Sequence, residues 1–494
     1  MAAISHLPPS DRAALPAESD ATAVEKANGP RDSIQASSLS NSMLWVVIAR
    51  GWSVAASAAL AFLLPKLFSD QVCGEALLII NLIGLTAMLA SFGLPEAMIR
   101  LVAERIAHDR QSSIRPLVAR CTQLLLCTIL IVTSAVMTYF WFVGFRVFQL
   151  PGSLLLAIAV GTAIVALSWQ MVVAAILRGL HEVKWANLLS GGQSGGPIAV
   201  TCFLAMVALA AWQLPAVTST FTAQLLMHSI FFTAALSSWR LWKSLPAADT
   251  SDLIATNALE HVPSFFGLAV DALPIALSQL AAFCTLSADL WIAGKFLLID
   301  EVAYYGSAKR LVLLLGIPEQ LAMLTIIANI PDLHSRGKLL ELQQLIRKVT
   351  TLAAIPALIA CAVLLLFPEQ ILSIAFRPQY KAAAGALMIL SLGQVTANYL
   401  GPCGYVLLMT GRRWTVLLIT FVCGCSAIIA GALGAAYGGL WGLAIAAACC
   451  TAAQIILEWL AVRYFVGIWC HASPVMLATQ SPAHSPNSSQ DSPQ

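Results

Sequence analysis

From residue 43 to residue 465, long apolar runs alternate with short polar connections. A helix that crosses a bilayer needs about 20 consecutive apolar residues, and the runs meet that length. They predict helices near 43–65, 75–95, 117–143, 152–177, 187–211 and 218–239. A polar linker from Trp242 to His261 follows, and then helices near 264–294, 302–330, 350–367, 382–409, 415–436 and 439–465. The seventh and eighth carry Asp271, Asp289, Lys309, Arg310 and Glu319, so eleven is the alternative count. The expected architecture is an all-α membrane protein of twelve transmembrane helices. Breaks are expected at Pro197, Pro274, Pro318, Pro356 and Pro402, because proline removes an i→i−4 hydrogen bond.

Composition agrees with this pattern. Hydrophobic residues make up 59% and charged residues 10%, and the mean hydropathy is +0.82. A soluble domain carries roughly 25% charged residues, so this chain lacks a water-compatible surface. The twelve cysteines form no CxxC pair, which removes a disulfide or zinc framework from consideration. No cofactor is expected. Residues 1–40 hold no apolar core and do not read as a signal peptide; with the tail they are expected to be disordered.

Charge placement sets the orientation, since cytoplasmic loops are enriched in Lys and Arg. One set of loops holds Arg100, Arg105, Arg110 and Arg115, then Arg178 and Lys184, Arg240 and Lys243, Arg336, Lys338, Arg347 and Lys348, and Arg412 and Arg413. The opposite loops hold Lys66, Arg146, Lys295, Arg377 and Lys381. Both termini are therefore expected on the cytoplasmic side.

The two halves also repeat. Gly74 and Gly306, each following a polar loop, lie 232 residues apart, and so do Gly179 and Gly411. Two lobes of six helices with the same topology follow, related by an axis along the membrane normal. The expected divisions are a disordered segment 1–40, a first lobe 41–242, a linker 243–263, a second lobe 264–467 and a disordered tail 468–494.

Several stretches resemble the polysaccharide (O-antigen type) flippases of the multidrug/oligosaccharidyl-lipid/polysaccharide exporter superfamily. They are Ser91-Phe-Gly-Leu-Pro-Glu-Ala-Met-Ile-Arg100, Leu177-Arg178-Gly179, Asp289 with Val302-Ala-Tyr-Tyr-Gly306, Phe376-Arg-Pro-Gln-Tyr380, Ile389-Leu-Ser-Leu-Gly393-Gln and Met409-Thr-Gly-Arg412. The resemblance runs from about residue 43 to 467. It implies a MATE-like, V-shaped pair of lobes in a bacterial inner membrane. It also implies export of an undecaprenyl-diphosphate-linked oligosaccharide to the outer leaflet for polymerisation. Polysaccharide polymerase machinery, membrane lipids and an H⁺ or Na⁺ coupling ion are the further candidate partners. No nucleic-acid partner is expected.

Such a cargo needs cationic or hydrated groups within the bilayer, where a basic side chain costs about 2.5–3.5 kcal/mol at the helix centre. Arg50, Lys309 and Arg310 are the candidate substrate-binding residues; Arg50 has the alternative of snorkelling to the interface. Neighbours in a helix point about 100° apart, so one of Lys309 and Arg310 is expected to pair with Asp289 and the other to remain available. Asp271, Asp289 and Glu319 are the candidates for gating or ion coupling, with an Arg50–Asp271 latch as one reading of Asp271. Gly191-Gly-Gln-Ser-Gly-Gly lacks the GK[ST] ending of a phosphate loop and reads as helix packing. The alternatives are an ion-coupled exporter of organic cations, and a lipid II flippase, whose relatives usually carry two further helices. A membrane polymerase or glycosyltransferase is disfavoured by short external loops.

Overall fold

A computed structural model describes residues 48–49, 51–107, 111–144, 152–189, 195–213, 218–245, 263–326 and 329–473. Arg50, the expected disordered segment 1–40, most of the linker and the tail beyond 473 lie outside the described residues. Among the described residues all regular structure is helical. The first half comprises α1 (Gly51–Leu67), α2 (Asp70–Ser91), α3 (Leu94–Ala107), α4 (Ile114–Tyr139), α5 (Leu154–Gly179), α6 (Val183–Leu189), α7 (Gly196–Gln213) and α8 (Ser219–Ser244). The second comprises α9 (Phe265–Phe296), α10 (Ile299–Leu314), α11 (Ile317–Ile326), α12 (Asn329–Ser335), α13 (Leu339–Leu366), α14 (Pro368–Ala375), α15 (Ala384–Leu400), α16 (Cys403–Met409) and α17 (Arg413–Phe465). Pairing α2 with α3, α6 with α7, α10 with α11 and α15 with α16, dividing α17 at its non-helical Gly439, and setting aside α12 and α14 as too short to span gives twelve units, in keeping with the expected count.

Starts are capped where the apolar runs begin. Ser69, Ser153, Thr218 and Ser264 each accept a backbone N–H in the first turn of α2, α5, α8 and α9. Such caps satisfy donors that a helix end otherwise leaves orphaned. Pro197, Pro318 and Pro402 sit at helix starts or breaks, as expected. Pro274 and Pro356 instead lie inside continuous helices. α13 also begins at Leu339 rather than near 350, so Arg347 and Lys348 ride on a helix and not a loop.

The buried side chains show how the lobes are arranged. One core joins both halves: Phe68, Cys73, Leu77 and Ile83 of the first pack with Ala303, Tyr305, Phe376 and Tyr380 of the second. At the opposite end the core divides. Leu94, Met98, Leu117, Leu177 and Leu241 form one cluster, and Ile330, Leu342, Val406, Leu407 and Val462 form another. The lobes therefore converge at a narrow end and part at a split end. This is a V.

The glycine landmarks meet at the narrow end. A Cβ on Gly74 would lie 2.3 Å from the Ile299 carbonyl oxygen, and one on Gly306 would lie 2.7 Å from Leu77 Cδ1. Their lack of a side chain lets α2 and α10 cross closely. The second landmark slips. The 179 and 411 turns share a hydrogen bond spanning five residues, Glu182 N–H to Leu177 O and Arg412 N–H to Leu407 O. The left-handed residue is His181 in one and Gly411 in the other, an offset of 230 rather than 232.

Two boundaries differ from expectation. The start of α9 leans on the first lobe, where Leu268 and Ala272 join its cluster and Gly93 (φ +69°) packs against the Ala272 backbone. The chain also remains folded beyond 467. Residues through Ser473 form a strap tied to α13 and α15: the Trp469 N–H donates to Gln343 Oε1, the Ser473 N–H to Thr351 Oγ1 and the Ala472 N–H to the Tyr399 carbonyl.

Candidate functional site

Polar side chains gather where the lobes meet. Asp70 opens α2, and three residues of the second lobe converge on its carboxylate. Arg377 forms an ion pair with Asp70, Gln379 Nε2 donates to Oδ2 at 3.1 Å, and Tyr304 OH donates to Oδ2 at 3.2 Å. The Asp70 side chain is 17% exposed. Further along α2, Trp291 Nε1 of α9 donates to Asn81 Oδ1 at 2.9 Å, a second bond between lobes. Beneath the Asp70 clasp lies the fully buried Cys73, with Tyr380 and Ser307 against its thiol and Arg310 and Arg377 within electrostatic reach.

Lys309 and Arg310 divide as their 100° separation requires. Lys309 Nζ donates to both Asp289 oxygens at 2.5 and 2.6 Å, and Tyr305 OH donates to Oδ2 at 2.6 Å. With side-chain exposures of 19% and 12%, this ion pair is shielded inside the second lobe. Arg310 has no such carboxylate. Its Nη1 is buried without a hydrogen-bond partner, as are Ser307 Oγ, Tyr380 OH and Arg377 Nε.

A second polar group surrounds the break between α10 and α11. The Leu315 carbonyl, freed from the helix, accepts from Asn398 Nδ2 at 3.1 Å, and Gln394 Nε2 reaches Asn398 Oδ1 at 3.5 Å. Glu319 follows in the first turn of α11, half-buried and within electrostatic reach of Glu458 on α17. Glu458 is only 5% exposed and accepts from Gln454 Nε2 at 2.9 Å. Broken helices with polar side chains at the break are where transporters of this build place their sites.

Asp271 is exposed on α9 and makes no hydrogen bond or ion pair among the described residues. Its expected partner in a latch, Arg50, lies outside the described residues. The inter-lobe clasp that is present, Asp70–Arg377, was visible in the sequence only as a repeat landmark and as one of the few basic residues in the sparse loops. Glu458 had a plainer signal, a lone carboxylate in the last apolar run.

No family model matches the chain, and no curated protein matches it. Solved structures do. One is an inward-facing multidrug resistance MATE family transporter of the MOP superfamily, matched over 87% of this chain and 96% of that one at 17% identity and a TM-score of 0.62. The chain has the MATE transporter fold. A lipid II flippase, MurJ, in an inward closed conformation is matched over 85% of this chain and 87% of that one, at 13% identity and a TM-score of 0.58. A MOP superfamily transporter from Pyrococcus furiosus, described as having a binding pocket of reversed polarity, is matched over 87% of this chain and 94% of that one, at 14% identity and a TM-score of 0.52. In this MATE fold the narrow end of the V carries the Asp70 clasp and Arg310, and the break beside Glu319 and Glu458 belongs to the second lobe alone.

Proposed function

We propose that the chain is a flippase that moves a lipid-linked oligosaccharide, joined through undecaprenyl diphosphate, across a bacterial inner membrane by alternating access. The observation that carries this reading is Arg310. It lies within a membrane span at the junction of the lobes and keeps a buried guanidinium nitrogen without an acceptor. A guanidinium binds phosphate oxygens two at a time, and burial of its charge has a cost that a diphosphate cargo would offset. Lys309 contributes less to cargo on this reading, because Asp289 already neutralises it.

The narrow end faces the periplasm and the split end the cytoplasm, in keeping with the Lys and Arg bias of the loops. The cavity is then open inward, ready for a lipid-linked sugar made on the cytoplasmic side. The Glu319–Glu458 pair supplies a place for a coupling H⁺ or Na⁺. The second reading is an ion-coupled exporter of organic cations. Those same carboxylates, and the likeness to a multidrug transporter, favour it.

The test is restoration of surface polysaccharide in a strain lacking its own O-unit flippase, with Arg310→Ala at matched expression. Restoration by the unaltered chain and loss in the variant supports glycan export through a cationic site. Restoration with Arg310→Ala intact removes Arg310 from the site. Absence of restoration together with ethidium efflux from the same cells favours the cation exporter.

A further inference from the structure

Four buried polar atoms at the narrow end lack a well-formed hydrogen bond, and all four belong to the second lobe: Arg310 Nη1 and Arg377 Nε, and Ser307 Oγ and Tyr380 OH, which rest against the Cys73 thiol. A buried polar group without a partner costs roughly 1–3 kcal/mol, more when charged. Native structures hold few of these, and each calls for an explanation. Here a single one of the first lobe's helices closes over all four. α2 presents Cys73 to Tyr380, Ser307, Arg310 and Arg377, and Asp70 pairs with Arg377 one turn away. The other carboxylates nearby are engaged or offset. Glu75 accepts from Gln71 on its own helix, Glu301 caps the start of α10, Asp289 is held by Lys309 and Tyr305, and Asp300 lies at the rim beside Tyr304. Two guanidinium groups are therefore answered by one carboxylate, and that carboxylate belongs to the opposite lobe.

We propose that the narrow end of the second lobe is an exit site for a diphosphate, formed by Arg310, Arg377, Tyr380 and Ser307, and that Asp70 occupies it whenever the lobes are closed there. The inference rests on the glycan-export reading for its ligand and on the clasp geometry for its place. When the lobes part at this end, α2 withdraws. Asp70 and Cys73 leave, and the four donors open together onto the new cavity. Their number and type suit the oxygens of a diphosphate, which accept charge-assisted hydrogen bonds from Arg and neutral ones from hydroxyls. Cargo phosphate and the Asp70 carboxylate then compete for Arg377. Opening costs the clasp less when cargo is there to replace it, which ties movement of the lobes to the presence of cargo. Release into the outer leaflet follows when Asp70 returns.

Cys73 is a reporter already in place, since its thiol is fully buried under the clasp. The full chain in nanodiscs is exposed to a maleimide, and modification at Cys73 is followed by peptide mass spectrometry. The unaltered chain should label slowly. Asp70→Asn should raise the rate at least tenfold. Inorganic pyrophosphate should then slow labelling of Asp70→Asn, and this protection should vanish when Arg377→Gln or Arg310→Gln is added. The charge exchange of Asp70→Arg with Arg377→Asp should restore slow labelling, which separates an opened clasp from a damaged fold. A Cys73 rate unchanged by Asp70→Asn, or raised equally in the charge exchange, overturns the clasp. Protection that survives both arginine substitutions, or never occurs, overturns the exit site. Pyrophosphate protection in a chain that fails to restore surface polysaccharide would sink the glycan reading and leave the anion site standing.

Discussion

The buried Lys309–Asp289 pair offers a test in which the two explanations of one lysine predict different outcomes. Removing one partner of a buried ion pair costs roughly 3–5 kcal/mol, because the other charge is left out of water and unanswered. Asp289→Leu does this to Lys309, and it also strips the acceptor from Tyr305 OH, which donates to Asp289 at 2.6 Å. At roughly 2–4 °C per kcal/mol for a domain of about 150–250 residues, the single variant should lose about 10 °C in apparent melting temperature. Replacing both partners by apolar groups is often close to neutral. Asp289→Leu with Lys309→Met should therefore recover most of the loss, a coupling of about 2–3 kcal/mol. The assay is size-exclusion chromatography of the detergent-solubilised chain after heating, for the unaltered protein, each single variant and the double. Additive losses would refute the pairing as an energetic unit. Surface-polysaccharide restoration by the same four proteins then separates the roles. If Lys309 serves Asp289 alone, the double variant exports; if it also touches cargo, the double variant is stable and does not export.

Other expectations follow from single contacts. A Cβ on Gly442 would stand 2.0 Å from the Gly434 carbonyl oxygen, so Gly442→Ala should push the two halves of α17 apart and cut the yield of monodisperse protein at least severalfold. Trp291→Phe removes the bond from Nε1 to Asn81 Oδ1, worth about 1 kcal/mol, and should quicken Cys73 labelling about fivefold without altering expression. Glu319→Gln and Glu458→Gln should each abolish the dependence of transport on an imposed ion gradient in proteoliposomes; a response unchanged in both would remove the pair from coupling. His471, on the terminal strap, has its pKa lowered from 6.5 by burial and by the Arg347 charge. The freed strap takes up a proton more readily, so docking is complete above about pH 6.5 and weakens as the pH falls below it. Trypsin cleavage at Arg463, taken relative to an unstructured reference peptide at each pH, should accordingly quicken as the pH falls from 8 to 6, and His471→Gln should flatten that response.

The parts of this protein that could be read from its sequence are those in which cause and effect lie close along the chain. Apolar runs mark spans because the bilayer enforces their length, and a count of eleven or twelve follows from that alone. The Lys309–Asp289 pair was legible because 20 residues separate its members, a helix end and one turn, so helical geometry brings them together. Pro274 and Pro356 misled for the complementary reason. A proline reports the hydrogen bond it cannot make, but whether the helix breaks or merely bends depends on its neighbours in space. The clasp was beyond reach on the same ground, since 307 residues separate Asp70 from Arg377. Only the knowledge of which helix ends converge joins them. Yet the repeat held part of that knowledge. A pseudo-two-fold axis brings counterpart elements together near itself, and Gly74 and Gly306, counterparts by their spacing, do sit at the α2–α10 crossing beside the axis. A charged residue next to such a landmark is therefore a better candidate for a contact between lobes than one buried deeper in its own span. By that criterion Asp70, four residues before Gly74, outranks Asp271, which the structure leaves exposed and without an ion-pair partner among the described residues.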